Sequence, residues 1–188
     1  MSSIRLFILG SLDERGPMHG HALRLLAEEE HVDEWAEVSP GAIYGAIKRL
    51  AAEGLIQTAR VERDGNYPER QVYAITDAGI RSLFQIRRHA LDTIVYRSDP
   101  FDLAMARLGV DDLDSLQETL ETRLARYRER EAAEATTIER IGTYLTLTEK
   151  HVMRHDLHRA QAEIAWLEEL LAALPEIVAD EKARKARP

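Results

Sequence analysis

The sequence predicts a mostly α-helical protein with one small β-hairpin. Residues 111–143 and 148–174 repeat apolar side chains at spacings of three and four, the period of an α-helix packed on one face. Residues 57–63 and 71–75 have strand composition, and Asp64-Gly65 between them is a strong turn signal. We therefore expect a β-hairpin within an otherwise helical chain.

The hairpin and the two long helices lie in different parts of the sequence. Asp99-Pro100 is the clearest seam between them, because proline disfavours helix in the residue that precedes it. We expect an N-terminal domain over residues 1–95 and a C-terminal antiparallel helical domain over residues 96–178. Residues 179–188 are highly charged and are expected to form a disordered tail.

A short helix precedes the hairpin and has a marked start and end. Ser39 suits the N-cap, Pro40 suits the first helical position, and Gly54 suits a left-handed C-terminal residue. Its apolar positions form one stripe: Ile43, Ile47 and Leu50.

The opposite face of this helix carries Tyr44, Lys48 and Arg49. A buried stripe with a tyrosine and two cations opposite is suited to a helix that docks in a DNA groove. Lys48 is the expected phosphate contact, and Tyr44 is expected to combine packing with a hydroxyl contact. Arg49 has two interpretations, a DNA contact or an ion pair with Glu53 one turn later.

The hairpin tip is also cationic. Four polar or charged side chains surround the tip: Arg63, Asn66, Tyr67 and Arg70. Asp64 and Glu69 beside them can neutralise the charge of the two arginines. A helix followed by a hairpin with a cationic tip is a winged helix-turn-helix, in which the wing contacts the DNA backbone or minor groove.

The first 90 residues resemble the PadR-family transcriptional regulators. The shared motifs are Ile8-Leu9-Gly10-x-Leu12, Pro17-Met18-His19-Gly20, Ser-Pro-Gly-x-x-Tyr at 39–44, Lys-Arg-Leu at 48–50, Glu-Gly-Leu-Ile at 53–56 and Tyr73-x-Ile75-Thr76-x-x-Gly79. One position departs, because the family usually has an aromatic residue, commonly tyrosine, after Gly20 and this chain has His21. The resemblance implies repression relieved by a small molecule or stress signal. It adds Ser39 and Gly41 to the expected DNA contacts.

Charge and composition limit the function. The net charge is −8, yet residues 39–75 hold five cations and four anions, so DNA binding must rest on a few placed contacts. The chain has no cysteine and no apolar run long enough to span a bilayer, and we expect a cytoplasmic location. No catalytic constellation is present, which argues against an enzyme, and no cofactor is expected.

The two long helices cannot bury all of their apolar faces alone, so we expect a homodimer that reads a palindromic operator. Five leucines are the expected dimer contacts: Leu116, Leu120, Leu124, Leu167 and Leu171. The alternative function is a helical dimeric interaction module that uses its winged helix for protein contact.

Two further features have two interpretations each. Trp166 either lines an effector pocket or fills a helix interface. His151, His155 and His158 share a helix face and either hold a zinc or copper ion or are solvated. His19 and His21 are expected to cap or pack rather than to bind metal, and Gly16 and Gly20 are interpreted as turn glycines.

Overall fold

A computed structural model describes residues 3–36, 38–63, 69–95, 98–109 and 111–185. The chain divides into two compact units, Met1–Tyr96 and Arg97–Pro188. Across the described residues, no helix is both long enough and apolar enough to cross a membrane.

The N-terminal unit combines five α-helices and three strands in its described residues. Their order is α1 (Ser3–Arg15), β1 (Met18–His19), α2 (Gly20–Glu29), α3 (Val32–Trp35), a 3-10 turn (Pro40–Ala42), α4 (Ile43–Ala52), β2 (Ile56–Glu62), β3 (Arg70–Ile75) and α5 (Asp77–Asp92). The sheet is antiparallel in the order β1-β3-β2, with Ile56 opposite Ile75 and Glu62 opposite Arg70. The mostly helical class with a small β wing is confirmed.

Two elements of this unit were not predicted. The strand β1 has only two residues, and it exists because Met18 and His19 pair with Tyr73 and Val72 of β3. The helix α3 is a single turn whose Val32 is fully buried. Both depend on long-range packing, which short sequence patterns do not report.

The core of the N-terminal unit lies between its helices. The predicted stripe of α4 is buried as expected, with Ile43, Ile47 and Leu50 at most 2% exposed. They pack with side chains of α1, α2 and α5, among them Ile8, Leu23 and Leu83. Burial of this stripe fixes which face of α4 remains available to a ligand.

The C-terminal unit is built from α6 (Pro100–Met105), α7 (Leu116–Ile141) and α8 (Leu147–Lys185). The helix α8 continues through Pro175 to Lys185, so it includes most of the segment that was expected to be a disordered tail. Leu174 and Val178 pack against the core on both sides of the proline, and Arg184 pairs with Glu181 one turn back. Tertiary burial thus extends the helix beyond the local proline signal.

Four of the five predicted dimer leucines need a correction, and Leu171 stays a prediction. Leu116, Leu120, Leu124 and Leu167 are at most 6% exposed and form the core between helices of one chain, and Leu171 is half-buried against the same core. A leucine enclosed within its own unit cannot present its side chain to a second copy. Sequence periodicity identifies a buried face but not the partner that buries it.

Candidate nucleic-acid interface

The helix α4 begins in a single turn of 3-10 helix that contains Pro40. Ser39 precedes it in an extended conformation, but its side chain makes no capping hydrogen bond, contrary to the expected N-cap role. Ser39 and Gly41 are instead exposed at the start of the helix. Their polar groups are therefore accessible to a ligand that approaches this end of α4.

The other end of α4 is tied to the wing and to α5. Gly54 has the predicted positive φ, 71°, which glycine adopts without strain. The hydroxyl of Thr76 donates to the Gly54 carbonyl over 2.8 Å and accepts the amide N–H of Gly79 over 3.1 Å, so it also caps α5. One side chain thus connects the end of α4, the end of β3 and the start of α5.

The outward face of α4 presents the three predicted side chains. Tyr44 is 47% exposed, and Lys48 and Arg49 are exposed. The alternative ion pair between Arg49 and Glu53 is absent, because Arg5 of α1 binds the Glu53 carboxylate through both of its terminal nitrogens, at 2.9 and 2.6 Å. The charge on this face is therefore available for an anionic ligand.

The structure describes both strands of the wing but not its tip, residues 64–68. Arg63 is exposed just after β2, and Arg70 is half-buried at the start of β3. Asn66 and Tyr67, both predicted contacts, lie outside the described residues. Within β2, Arg60 pairs with Glu62 at 2.6 Å, and the register shifts between Thr58 and Arg60. Such an irregularity bends the strand, and here it lies midway along the wing.

Gly20 lies beneath the exposed face of α4, a role that sequence reasoning missed. It begins α2, is buried and has no positive φ, so it is not a turn glycine, whereas Gly16 is one, with a φ of 80°. A Cβ on Gly20 would stand 3.0 Å from Cε1 of Tyr44. The motif Pro17-Met18-His19-Gly20 was the sequence signal for this role, but it does not show that Tyr44 occupies the space beside Gly20.

The two histidines beside Gly20 lie at the start of α2. The ring of His19 caps α2, since its Nδ1 accepts the amide N–H of Ala22 over 2.8 Å. The ring of His21 is exposed and lies parallel to that of His19, with 6.1 Å between the ring centres. His21, which departs from the family pattern, is thus in the first turn of α2, next to the glycine that supports Tyr44.

Trp166 belongs to an aromatic cluster in the C-terminal unit. Its ring meets Phe101 edge-on at 5.5 Å, and the Arg123 guanidinium lies 4.2 Å above the Phe101 ring. A groove of about 630 Å³ is lined by Phe101, Arg123 and Tyr127 together with Arg126 and Arg130. Burial raises the pKa of the Tyr127 hydroxyl, and the nearby charge of Glu163 adds to the effect.

The histidines of α8 have two interpretations, a metal site or a solvated helix face. Within the described residues, no group of three or more His, Asp or Glu side chains could hold a metal ion. His151, His155 and His158 are exposed, and His158 lies within hydrogen-bond distance of Gln161. Exposure of all three rings is what a solvated helix face predicts.

Comparison with known proteins identifies the N-terminal unit. Residues 8–85 match the family described as "Transcriptional regulator PadR-like family". The match covers 78 of the 188 residues and lies within the N-terminal unit. PadR-like proteins are transcriptional regulators and not enzymes. The recognition made from the six sequence motifs is thereby confirmed.

Solved PadR structures share the fold over nearly the whole chain. Bacillus subtilis PadR in complex with operator DNA is 21% identical with a TM-score of 0.71, covering 93% of this chain and 98% of that chain. The same protein in complex with p-coumaric acid is 19% identical, with a TM-score of 0.71 and coverages of 93% and 97%. The Vibrio cholerae virulence activator AphA is 22% identical with a TM-score of 0.51, covering 93% and 99%. At these identities the likeness establishes the fold alone, and no curated protein matches the sequence.

Proposed function

We propose that the protein is a homodimeric repressor that binds a palindromic operator through α4 and the wing. The observation that supports this most directly is the outward face of α4, where Tyr44, Lys48 and Arg49 are exposed and Glu53 is occupied by Arg5. Lys48 contacts a phosphate, and Arg49 contacts a phosphate or a base edge. The hydroxyl of Tyr44 donates a hydrogen bond to a DNA phosphate. Ser39 and Gly41 approach the backbone at the start of the helix, while Arg63 and Arg70 do so from the wing.

Dimerisation through the C-terminal unit is part of this proposal. Since the core leucines are enclosed, the surface for the second copy consists of apolar side chains that the unit leaves exposed. Leu103, Leu147, Val152 and Trp166 are between 39% and 72% exposed. Isologous contacts formed by such side chains hold two winged helices on one palindromic site.

Relief of repression by a small molecule is the third part. The groove beside Phe101 and Arg123 supports it, since aromatic rings and guanidinium groups combine apolar area with hydrogen-bond donors. Trp166 contributes through its edge contact with Phe101. The B. subtilis PadR structure with p-coumaric acid supports a small-molecule effector in this fold.

The proposal is tested by binding the purified protein to the DNA upstream of its own gene across a series of salt concentrations. A repressor of this kind gives a saturable complex of two chains per site, with an affinity that falls linearly on a log–log plot against salt. A helical interaction module gives no sequence-specific complex at moderate salt. A transcription assay on the same DNA then distinguishes repression from activation.

A further inference from the structure

Gly20 lies where the first turn of α2 meets the exposed face of α4. An added Cβ there would be 3.0 Å from Cε1 and 3.2 Å from Cδ1 of Tyr44, and 3.2 Å from Cδ1 of Ile47. Carbon atoms pack best at about 3.5–4.0 Å. The missing side chain therefore allows the Tyr44 ring to lie directly on the backbone of α2.

The backbone on either side of Gly20 is hydrogen-bonded, which opposes its movement away from the ring. His19 pairs with Val72 of the wing strand β3, and its ring accepts the amide N–H of Ala22. The φ of Gly20 is not in the left-handed region, so conformational freedom does not explain the glycine. Space for the neighbouring ring explains it.

The two neighbours of Gly20 differ in how freely they can yield. Ile47 is 2% exposed and enclosed by the core, whereas Tyr44 is 47% exposed and has solvent on its outer side. A methyl group at position 20 would therefore displace the tyrosine ring by a few tenths of an ångström. The hydroxyl moves with the ring, and a hydrogen bond is sensitive to distance and angle.

We propose that Gly20 is a positioning residue for DNA binding, which holds the Tyr44 ring so that its hydroxyl reaches a DNA phosphate. This inference rests on the proposed function. The close packing of α2 on α4 then affects DNA affinity as well as the stability of the protein. It also connects the wing to Tyr44, because β1 joins the sheet directly before Gly20.

The test is a double-mutant cycle with Gly20→Ala, Tyr44→Phe and the double variant, measured as affinity for the upstream DNA at one salt concentration. Loss of a charge-assisted hydrogen bond predicts that Tyr44→Phe binds about tenfold or more weakly. Gly20→Ala is expected to lose affinity several-fold, and this loss disappears in the Tyr44→Phe background. Gly10→Ala is the matched control, since its added Cβ has no atom within 4 Å.

Thermal unfolding of each free variant separates folding from positioning. If Gly20→Ala does not fold, Gly20→Ala with Ile47→Val removes the core-side contact and retains the one with Tyr44, and Ile47→Val alone is its reference. Equal affinity of folded Gly20→Ala and wild type, or the same loss with and without the Tyr44 hydroxyl, overturns the inference. If Tyr44→Phe itself binds normally, the proposed DNA contact of Tyr44 fails, whatever Gly20 does.

Discussion

At the scale of single residues, Lys48 has an exposed ammonium group on α4 and forms no ion pair with an acid of the described residues. We expect Lys48→Ala to weaken specific and non-specific DNA binding about equally, because a phosphate contact carries no base information. The log–log salt slope should fall by about 0.9 for each phosphate that the variant no longer neutralises. Fluorescence anisotropy with operator and random DNA measures both quantities.

The control for Lys48→Ala is Lys150→Ala, which removes the same charge from the C-terminal unit. It should leave the salt slope within experimental error. A Lys48→Ala protein that keeps its general affinity but changes its sequence preference would show that Lys48 contacts a base edge instead.

Asp99 provides a second prediction at this scale. The backbone N–H of Phe101, and then the Arg123 guanidinium, lower the pKa of its carboxyl group below 3.8. A lowered folded pKa means that the stabilisation is present above pH 3.8 and is lost as the pH falls further. Asp99→Asn keeps an N-cap acceptor without the charge, so its thermal midpoint should approach that of wild type at low pH. A difference between the two midpoints that stays constant from pH 7 to pH 3 would contradict this assignment.

At the scale of elements, the packing of α7 on α8 depends on leucines enclosed within one chain. Leu120 is 0% exposed, so Leu120→Ala should reduce the free energy of unfolding by about 2–5 kcal/mol. Leu91→Ala is the control, because Leu91 lies on α5, is 84% exposed and its truncation should cost about 0.5 kcal/mol or less. Urea unfolding gives both values.

Sedimentation of the same two variants separates a core role from an interface role. A Leu120→Ala protein that unfolds like wild type but sediments as a monomer would assign Leu120 to the surface between copies, as the sequence periodicity first indicated.

At the scale of the whole molecule, each N-terminal unit has only a few cations on α4 and the wing, so one unit makes few phosphate contacts. Residues 1–96 alone should remain folded, because the core of this unit consists of its own side chains. Linking two units on one site makes the second contact intramolecular and raises affinity by about 10²–10⁴. The fragment should therefore bind the operator about 10²–10⁴-fold more weakly than the full chain. An equal affinity of fragment and full chain would show that dimerisation is not the source of tight binding.

The sequence by itself determined the features that depend on near neighbours. Gly54 ends α4, Thr76 caps α5, and the stripe of Ile43, Ile47 and Leu50 is buried, because capping and periodicity act within one or two turns. The family motifs of the first 90 residues were recognisable for the same reason.

Only the tertiary structure decided which residues distant in sequence meet. Arg5 forms an ion pair with Glu53, 48 positions away, and β1 forms only because it pairs with β3. The absence of a side chain at Gly20 leaves space for the ring of Tyr44. The leucines of α7 and α8 bury one another within one chain, and α8 continues as a helix beyond Pro175. A one-dimensional pattern records that a face is apolar, but the free energy of burial depends on the surface that covers it, which three-dimensional packing alone determines.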